Sequence, residues 1–548
     1  MPLPSTADLL VSGGDHRIAL DPATGRNKYG CQPLASTGLV PFGSSTSSGI
    51  SPAAFAEVDA LRNRLGAALP HQSAAELYRR ELDRLRGELL ALCGIGDALG
   101  TGLVFSASGT DVHLLAARVA ARVAADGAGS DAGNAGVLGV QGVQGVQGVQ
   151  GVLGVLGVRG RPLVILAGEA ESGSGVAAAL AGRHFSTYNA LGRTTIPGES
   201  LSQACASDIL DVPIRNADGS LRDASVVDAQ IDALVSQAVQ DGRQVLLVLI
   251  DVSKTGCIAP SIACVTALHR RWPSVVQVLV DACQFRIEPG TLQAYLRNGC
   301  MVALTGSKFV TGPSFSGALL LPAAIGKTLR ERGVPAELRL YSAREEWPQG
   351  WASAQALGSY ANFGLLLRWQ AAIHELREFL AVPAGQAAGI LRRFASAIQQ
   401  RLGSDSAFAA LAVPALDRTA LNTPSHWDEI QTIHPFLLYR CQPGGGRTAL
   451  SREETAAIFR RVQAPGCADA GVAYQLGQPV DSGHRAGVPV SALRLCMSAR
   501  LVVQAARDPD QERHLIGQAL ACLDMVSALV HTPTRDVGVA PVLDTAFS

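Results

Sequence analysis

A single lysine, Lys308, stands in the run Met301-Val-Ala-Leu-Thr-Gly-Ser-Lys308-Phe-Val-Thr-Gly-Pro-Ser-Phe-Ser-Gly317, among small and apolar residues. An ammonium in such a setting loses solvation, which favours use of the side chain as an amine nucleophile. Asp281 precedes it by 27 residues and ends the apolar run Val275-Val-Gln-Val-Leu-Val-Asp281-Ala-Cys-Gln284. A carboxylate at the carboxyl end of a buried strand is placed to keep a ring nitrogen protonated. A lysine and an acid in these two roles suggest pyridoxal phosphate (PLP) chemistry, with a Schiff-base lysine and an acidic partner for the pyridinium.

Four segments in chain order resemble the fold-type I PLP enzymes, and within them the class V aminotransferase and cysteine desulfurase group. Phe105-Ser-Ala-Ser108-Gly109-Thr110-Asp-Val-His-Leu-Leu-Ala-Ala is similar to the group's phosphate loop opening a helix. Ile250-Asp-Val-Ser253-Lys-Thr-Gly256 is similar to its loop beside the cofactor phenolate. Asp281-Ala-Cys-Gln284 matches Asp-Ala-x-Gln, and Thr305-Gly-Ser307-Lys308 stands in the place of Ser-x-His-Lys. The resemblance covers roughly residues 40 to 330, with a weaker echo at Ala492-Leu-Arg494-Leu. It implies a homodimer and an α/β fold: a PLP-dependent transferase-like large domain with a mainly parallel sheet covered by helices, and a smaller α+β carboxyl-terminal domain. Two departures stand out. Ser307 replaces the usual His, and the position of the ring that covers the cofactor falls in Ala170-Glu171-Ser172-Gly173, which has no ring.

Roles follow for pyridoxal 5'-phosphate. Lys308 carries the cofactor and moves protons; Asp281 pairs with the pyridinium. Ser108, Gly109 and Thr110 bind the phosphate, where glycine allows close approach and a helix start favours the anion. Thr305 and Ser307 add phosphate or lysine contacts. Gln284 and Ser253 bond the phenolate, with Lys254 and Thr255 as alternatives to Ser253 on the same loop. Arg494 forks onto the substrate carboxylate, with Arg500 as its alternative, because a planar guanidinium pairs bidentately. His113 and His184 read as locally satisfied and Cys283 as packing. No metal site is expected.

Composition narrows the class. The 548 residues suffice for two or three domains. Charge balances at 46 basic against 46 acidic residues, which gives no footprint for nucleic acid or an anionic membrane. Apolar runs such as Val245–Ile250 have strand length and are too short to span a bilayer. The eleven cysteines include no Cys-x-x-Cys pair, as in a reduced cytoplasmic protein. Met1-Pro-Leu-Pro-Ser-Thr-Ala-Asp lacks the basic and apolar pattern of a secretory signal.

Along the chain, 1–50 reads as an arm and 51–330 as the cofactor domain. Connecting helices take 331–401, and 402–548 forms the small domain. In the arm, Phe42-Gly-Ser-Ser-Thr-Ser-Ser-Gly-Ile-Ser sits where the resembled group has a segment reaching its active site. Helices are expected over 52–92, broken near Pro70, and over 111–125. Strands are expected at Leu103–Phe105, Leu163–Leu166, Val245–Ile250, Val275–Val280, Met301–Leu304 and Ala318–Leu321. A Gly-Val-x triplet repeats between Gly136 and Gly157, within a low-complexity loop over 126–160.

The leading expectation is a cytoplasmic PLP-dependent aminotransferase of class V type acting on an amino acid. The alternatives are a PLP lyase of kynureninase or cysteine-lyase type, or a non-catalytic protein of the same fold. Desulfuration is disfavoured, because no cysteine lies between Lys308 and Arg440.

Overall fold

Strands of five to seven residues, largely buried except at the edge strand, build the sheet that carries every candidate site residue except the two arginines. In the computed structural model, which describes residues 2–35, 38–130, 161–202, 206–424, 426–442, 445–464 and 472–532, its order from one edge is Gly102–Ser106, Gly317–Leu321, Met301–Thr305, Val276–Ala282, Val245–Asp251, Leu163–Ala167 and Asp208–Val212. Gly317–Leu321 runs antiparallel to both neighbours, and the other adjacent pairs are parallel. The two-residue strand Ile258–Ala259 pairs antiparallel with the end of Val245–Asp251.

Helices cover both faces, which explains why these strands read as nearly continuous apolar runs. On one face, Pro52–Ala68, Ala74–Leu92, Ala224–Gln240, Ile262–Arg271, Pro289–Arg297 and Phe363–Leu380 share a core with Phe105, Leu247, Val278 and Leu304. On the other, the helix Gly109–Ser130 and Ala323–Glu331 pack on Val104, Leu166, Leu279 and Ala303. Asp208–Val212 was not expected from the sequence. It is an edge strand whose acids are used locally: Asp208 pairs with Arg243, and Asp211 accepts from the Glu169 amide at 2.7 Å. Its pattern is therefore not apolar.

A second sheet follows the order Leu39–Phe42, Ala473–Arg485, Val488–Cys496, Ile433–Cys441 and Phe408–Ala410, with Arg447–Ala449 beside Ile433–Cys441. The segment 39–42, expected as part of an arm, is a strand of this sheet, parallel to Ala473–Arg485. Burial of Phe42 against Tyr474 and Phe394, with ring centroids at 6.4 and 6.2 Å, fixes it there. The helix Pro509–His531 is long and apolar enough to cross a membrane by length and composition. Here Leu515, Ala519, Cys522, Leu523, Val526 and Val530 bury one face of it in the second core. The Gly-Val-x repeat lies outside the described residues.

An ion pair joins the two units below the cofactor loop. Arg418 bonds the Asp251 carboxylate and the Asp428 carbonyl, and Tyr295 donates to Asp251 at 2.8 Å; all four residues are buried. Removing one partner strands a charge in a low-dielectric interior. Arg418→Met is expected to lower unfolding free energy by about 3–5 kcal/mol in urea denaturation followed by circular dichroism.

Candidate active site

Parallel register places the two key residues side by side. Asp281 lies opposite Ala303 in the ladder of Val276–Ala282 with Met301–Thr305, and Lys308 follows the end of the latter. The turn between is tight. Gly306 donates to Ser316 O at 2.9 Å, and a Cβ on Gly306 would come within 2.5 Å of Ala372 Cβ. Lys308 is partly exposed, and its amine has no hydrogen-bond partner among the described residues. Burial lowers its pKa, Cys283 and Asp281 oppose that, and Arg494 and Arg286 add to it. An unpaired amine whose pKa is lowered by burial is suited to act as a nucleophile.

Asp281 is buried, which by itself would raise its pKa. The charge of His113 and the Cys283 amide, which donates to Oδ1 at 3.1 Å, more than reverse this and hold the acid well below the usual carboxylate range. His113 Nε2 stands 3.1 Å from Asp281 Oδ2, close enough for an ion pair although not aligned as a hydrogen bond. Its Nδ1 meets Gly109 O at 2.7 Å. Burial works against the imidazolium, but Asp281 and the Gly109 carbonyl leave the His113 pKa raised. The expectation that His113 is only locally satisfied is thus corrected: one nitrogen is local, and the other supports Asp281. The available signal was its spacing, four residues after Gly109, which puts it on the helix face beneath the loop. His184 does remain local, 2.6 Å from Tyr341 Oη.

The expected phosphate loop opens the helix Gly109–Ser130. Ser108 Oγ caps it by accepting from Asp111 N at 3.2 Å and also donates to the Asp111 carboxylate. A Cβ on Gly109 would lie 3.1 Å from Thr305 Cγ2 and 3.3 Å from Cys283 Sγ, so the loop presses directly on the strand ends. Thr110 Oγ1 accepts from Arg17 Nη1 at 3.1 Å. Arg17, paired with Asp15, was missed, because nothing in the sequence ties residue 17 to residue 110. Ser307 is buried, with no hydrogen-bond partner among the described residues. Thr305 is corrected: its hydroxyl donates to Cys283 O at 2.6 Å and is spent there.

Ser253 is also corrected. Its hydroxyl donates to Glu171 Oε2 at 2.9 Å, and Thr255 does the same at 2.7 Å, so neither faces a phenolate. Glu171 is in turn held by Arg215 at 2.7 Å. Lys254 is partly exposed, and burial, followed by the charges of Lys308 and Arg494, lowers its pKa to about 8. Gln284 reaches the site but donates to Ser45 O at 3.0 Å, holding the 43–51 segment. Arg494 arrives from the second sheet, yet its donors go to Lys254 O, Thr46 Oγ1 and Gln478 O. Both Nη2 hydrogens are used, while Nε is buried without a hydrogen-bond partner. Arg500 is tied to Glu375, Gly49 O and Thr311 O.

No family model matches the chain, and no curated protein matches it. Among solved structures, a NifS-like protein from Rickettsia africae shares 9% identity, with 89% of this chain and 99% of that one covered and a TM-score of 0.48. The cysteine desulfurase CsdA from Escherichia coli shares 14% identity over 89% and 95%, with a TM-score of 0.49. A cystine C–S lyase shares 16% over 89% and 98%, with a TM-score of 0.49. Likeness at this level leaves the chemistry to the site itself.

Asp111 supplies a pH dependence. Burial, with Asp15 adding to it, raises its pKa to about 7 against the opposing pull of Ser108 and Arg17. Below that pH the acid is neutral and tolerates an anion at the loop; above it, a carboxylate repels one. PLP affinity from fluorescence titration is expected to fall between pH 6 and 8.5, and Asp111→Asn to flatten that fall.

Proposed function

We propose that this chain is a PLP-dependent enzyme acting on an amino acid, with aminotransfer as its reaction. One observation carries the reading: an unpartnered amine, Lys308, beside a carboxylate, Asp281, held ionised at the ends of adjacent parallel strands. The residues fit the cofactor. Asp281 would hold its ring nitrogen, and the amides and Thr110 hydroxyl of the 108–110 loop, with Ser307, would hold its phosphate. Gln284 retains one amide hydrogen for the phenolate side. When bound, the cofactor supplies an electron sink for a carbanion at the substrate α-carbon.

The protein's part is proton handling and positioning. Lys308 Nζ, with its lowered pKa, takes the α-proton and can return it to another carbon, which is the requirement of aminotransfer. Asp281 stays anionic across the working range because His113 and the Cys283 amide stabilise its charge. The Thr305–Cys283 and Gly306–Ser316 bonds fix the floor on which these groups stand.

Borohydride reduction of the PLP-loaded protein followed by peptide mass spectrometry is expected to find the cofactor on Lys308. Lys308→Ala should be colourless, and a wild type that takes up no PLP defeats the reading. In a single turnover, aminotransfer releases a keto acid without ammonia, elimination of the cysteine-lyase type releases ammonia, and carbon–carbon cleavage of the kynureninase type releases a shortened amino acid.

We also propose a cytoplasmic homodimer. The free state of all nine described cysteines supports a reducing compartment, and the dimer rests on the sequence resemblance. Light scattering is expected to give twice the chain mass.

A further inference from the structure

The 108–110 loop is braced by a residue that no sequence motif assigns. Of the loop's two hydroxyls, that of Ser108 is already spent. Its Oγ accepts from Asp111 N at 3.2 Å and donates to the Asp111 carboxylate. Thr110 differs. Its Oγ1 accepts from Arg17 Nη1 at 3.1 Å, and its own hydrogen has no acceptor among the described residues. A threonine hydroxyl carries one hydrogen and two lone pairs, so a donor on the oxygen leaves that hydrogen for another acceptor.

Arg17 is locked in this position. It is 6% exposed, and Asp15 takes its other edge, with Nε 2.9 Å from Oδ1 and Nη2 2.5 Å from Oδ2. Nη1 also donates to Ser174 O at 3.3 Å, and the guanidinium carbon lies 5.7 and 5.6 Å from the Phe185 and Phe315 ring centroids. Phe185 and Thr110 both close on Gly175, where a Cβ would stand 3.3 Å from Phe185 Cβ and 3.5 Å from Thr110 Cγ2. With the acid on the Nε–Nη2 edge, the pair turns its positive Nη1 end to Thr110. A hydroxyl polarised by a cation makes a stronger bond to an anion. We propose that Arg17 is a positioning residue of the phosphate subsite, acting through Thr110 so that the hydroxyl hydrogen goes to a cofactor phosphate oxygen. This deepens the reading centred on Lys308 and rests on it. The contact spans 93 positions, so the amino-terminal segment helps to complete the cofactor site.

The test compares PLP with pyridoxal, which has the same ring and no phosphate. Dissociation constants for both are read by fluorescence titration of the full chain freed of cofactor, so turnover is not needed. Wild type is expected to bind PLP the more tightly. Arg17→Met should shrink that preference about tenfold or more, as for loss of a hydrogen bond to a charged group, with pyridoxal binding unchanged. Thr110→Val should shrink it similarly and Thr110→Ser should keep it. In the Thr110→Val background, Arg17→Met should add little, because both changes remove the same bond. If Arg17→Met strands the Asp15 charge and does not fold, the same chain with Asp15→Asn added carries the test. A wild type with no preference for PLP overturns the proposal. So does an undiminished preference in the Arg17 variants, or independent losses that add in the combined variant. If borohydride finds no adduct on wild-type Lys308, the underlying reading fails; an adduct with an undiminished preference defeats this inference alone.

Discussion

A buried carboxylate must be paid for by neighbouring positive charge or hydrogen-bond donors, and Asp281 sets that requirement for the whole site. His113 approaches it from the first turns of the helix Gly109–Ser130, and the Cys283 amide donates from the same chain. The helix start, the strand end and the lysine loop must therefore meet at one point. Gly109 and Gly306 make this feasible, since a side chain at Gly306 would strike Ala372 and one at Gly109 would crowd Thr305 and Cys283. The same closeness keeps Lys308 in partial desolvation, which lowers its pKa.

Two buried arginines, Arg286 and Arg494, and the half-buried Arg500 hold the second sheet against this point. Arg286 donates to Thr432, Met497 O and Ser44, and lies 5.1 Å over the Phe309 ring. Arg494 ties Thr46, Gln478 and Lys254 together, and Arg500 links Glu375 to Gly49 and Thr311. Each planar guanidinium satisfies several carbonyls and hydroxyls from different segments, which a lysine could not do with its compact charge. The 43–51 segment is fastened in this way to both sheets. The arginine that reads as substrate-binding in sequence also braces these segments, with its Nε left without a partner.

The core of the site was legible because its residues punctuate strands. Lys308, Asp281 and Ser108 each follow an apolar run, and in an open parallel sheet such positions gather at one edge. The strand Asp208–Val212 was not legible, because an edge strand with acids bonded to neighbours has no apolar signature. Arg17 was not legible either, since its approach to Thr110 spans 93 positions in sequence.

By itself, the order of apolar runs, glycines and isolated polar residues determined the sheet of the larger unit, its helical cover and the Lys308–Asp281 pair, because these depend on local periodicity and chain direction. Tertiary structure alone decided which hydroxyls and cations remain available. Ser253 went to Glu171, Thr305 to Cys283, and Nη1 and Nη2 of Arg494 to backbone oxygens of Lys254 and Gln478. A donor's partner depends on what folding brings within about 3 Å, and motif spacing does not carry that information.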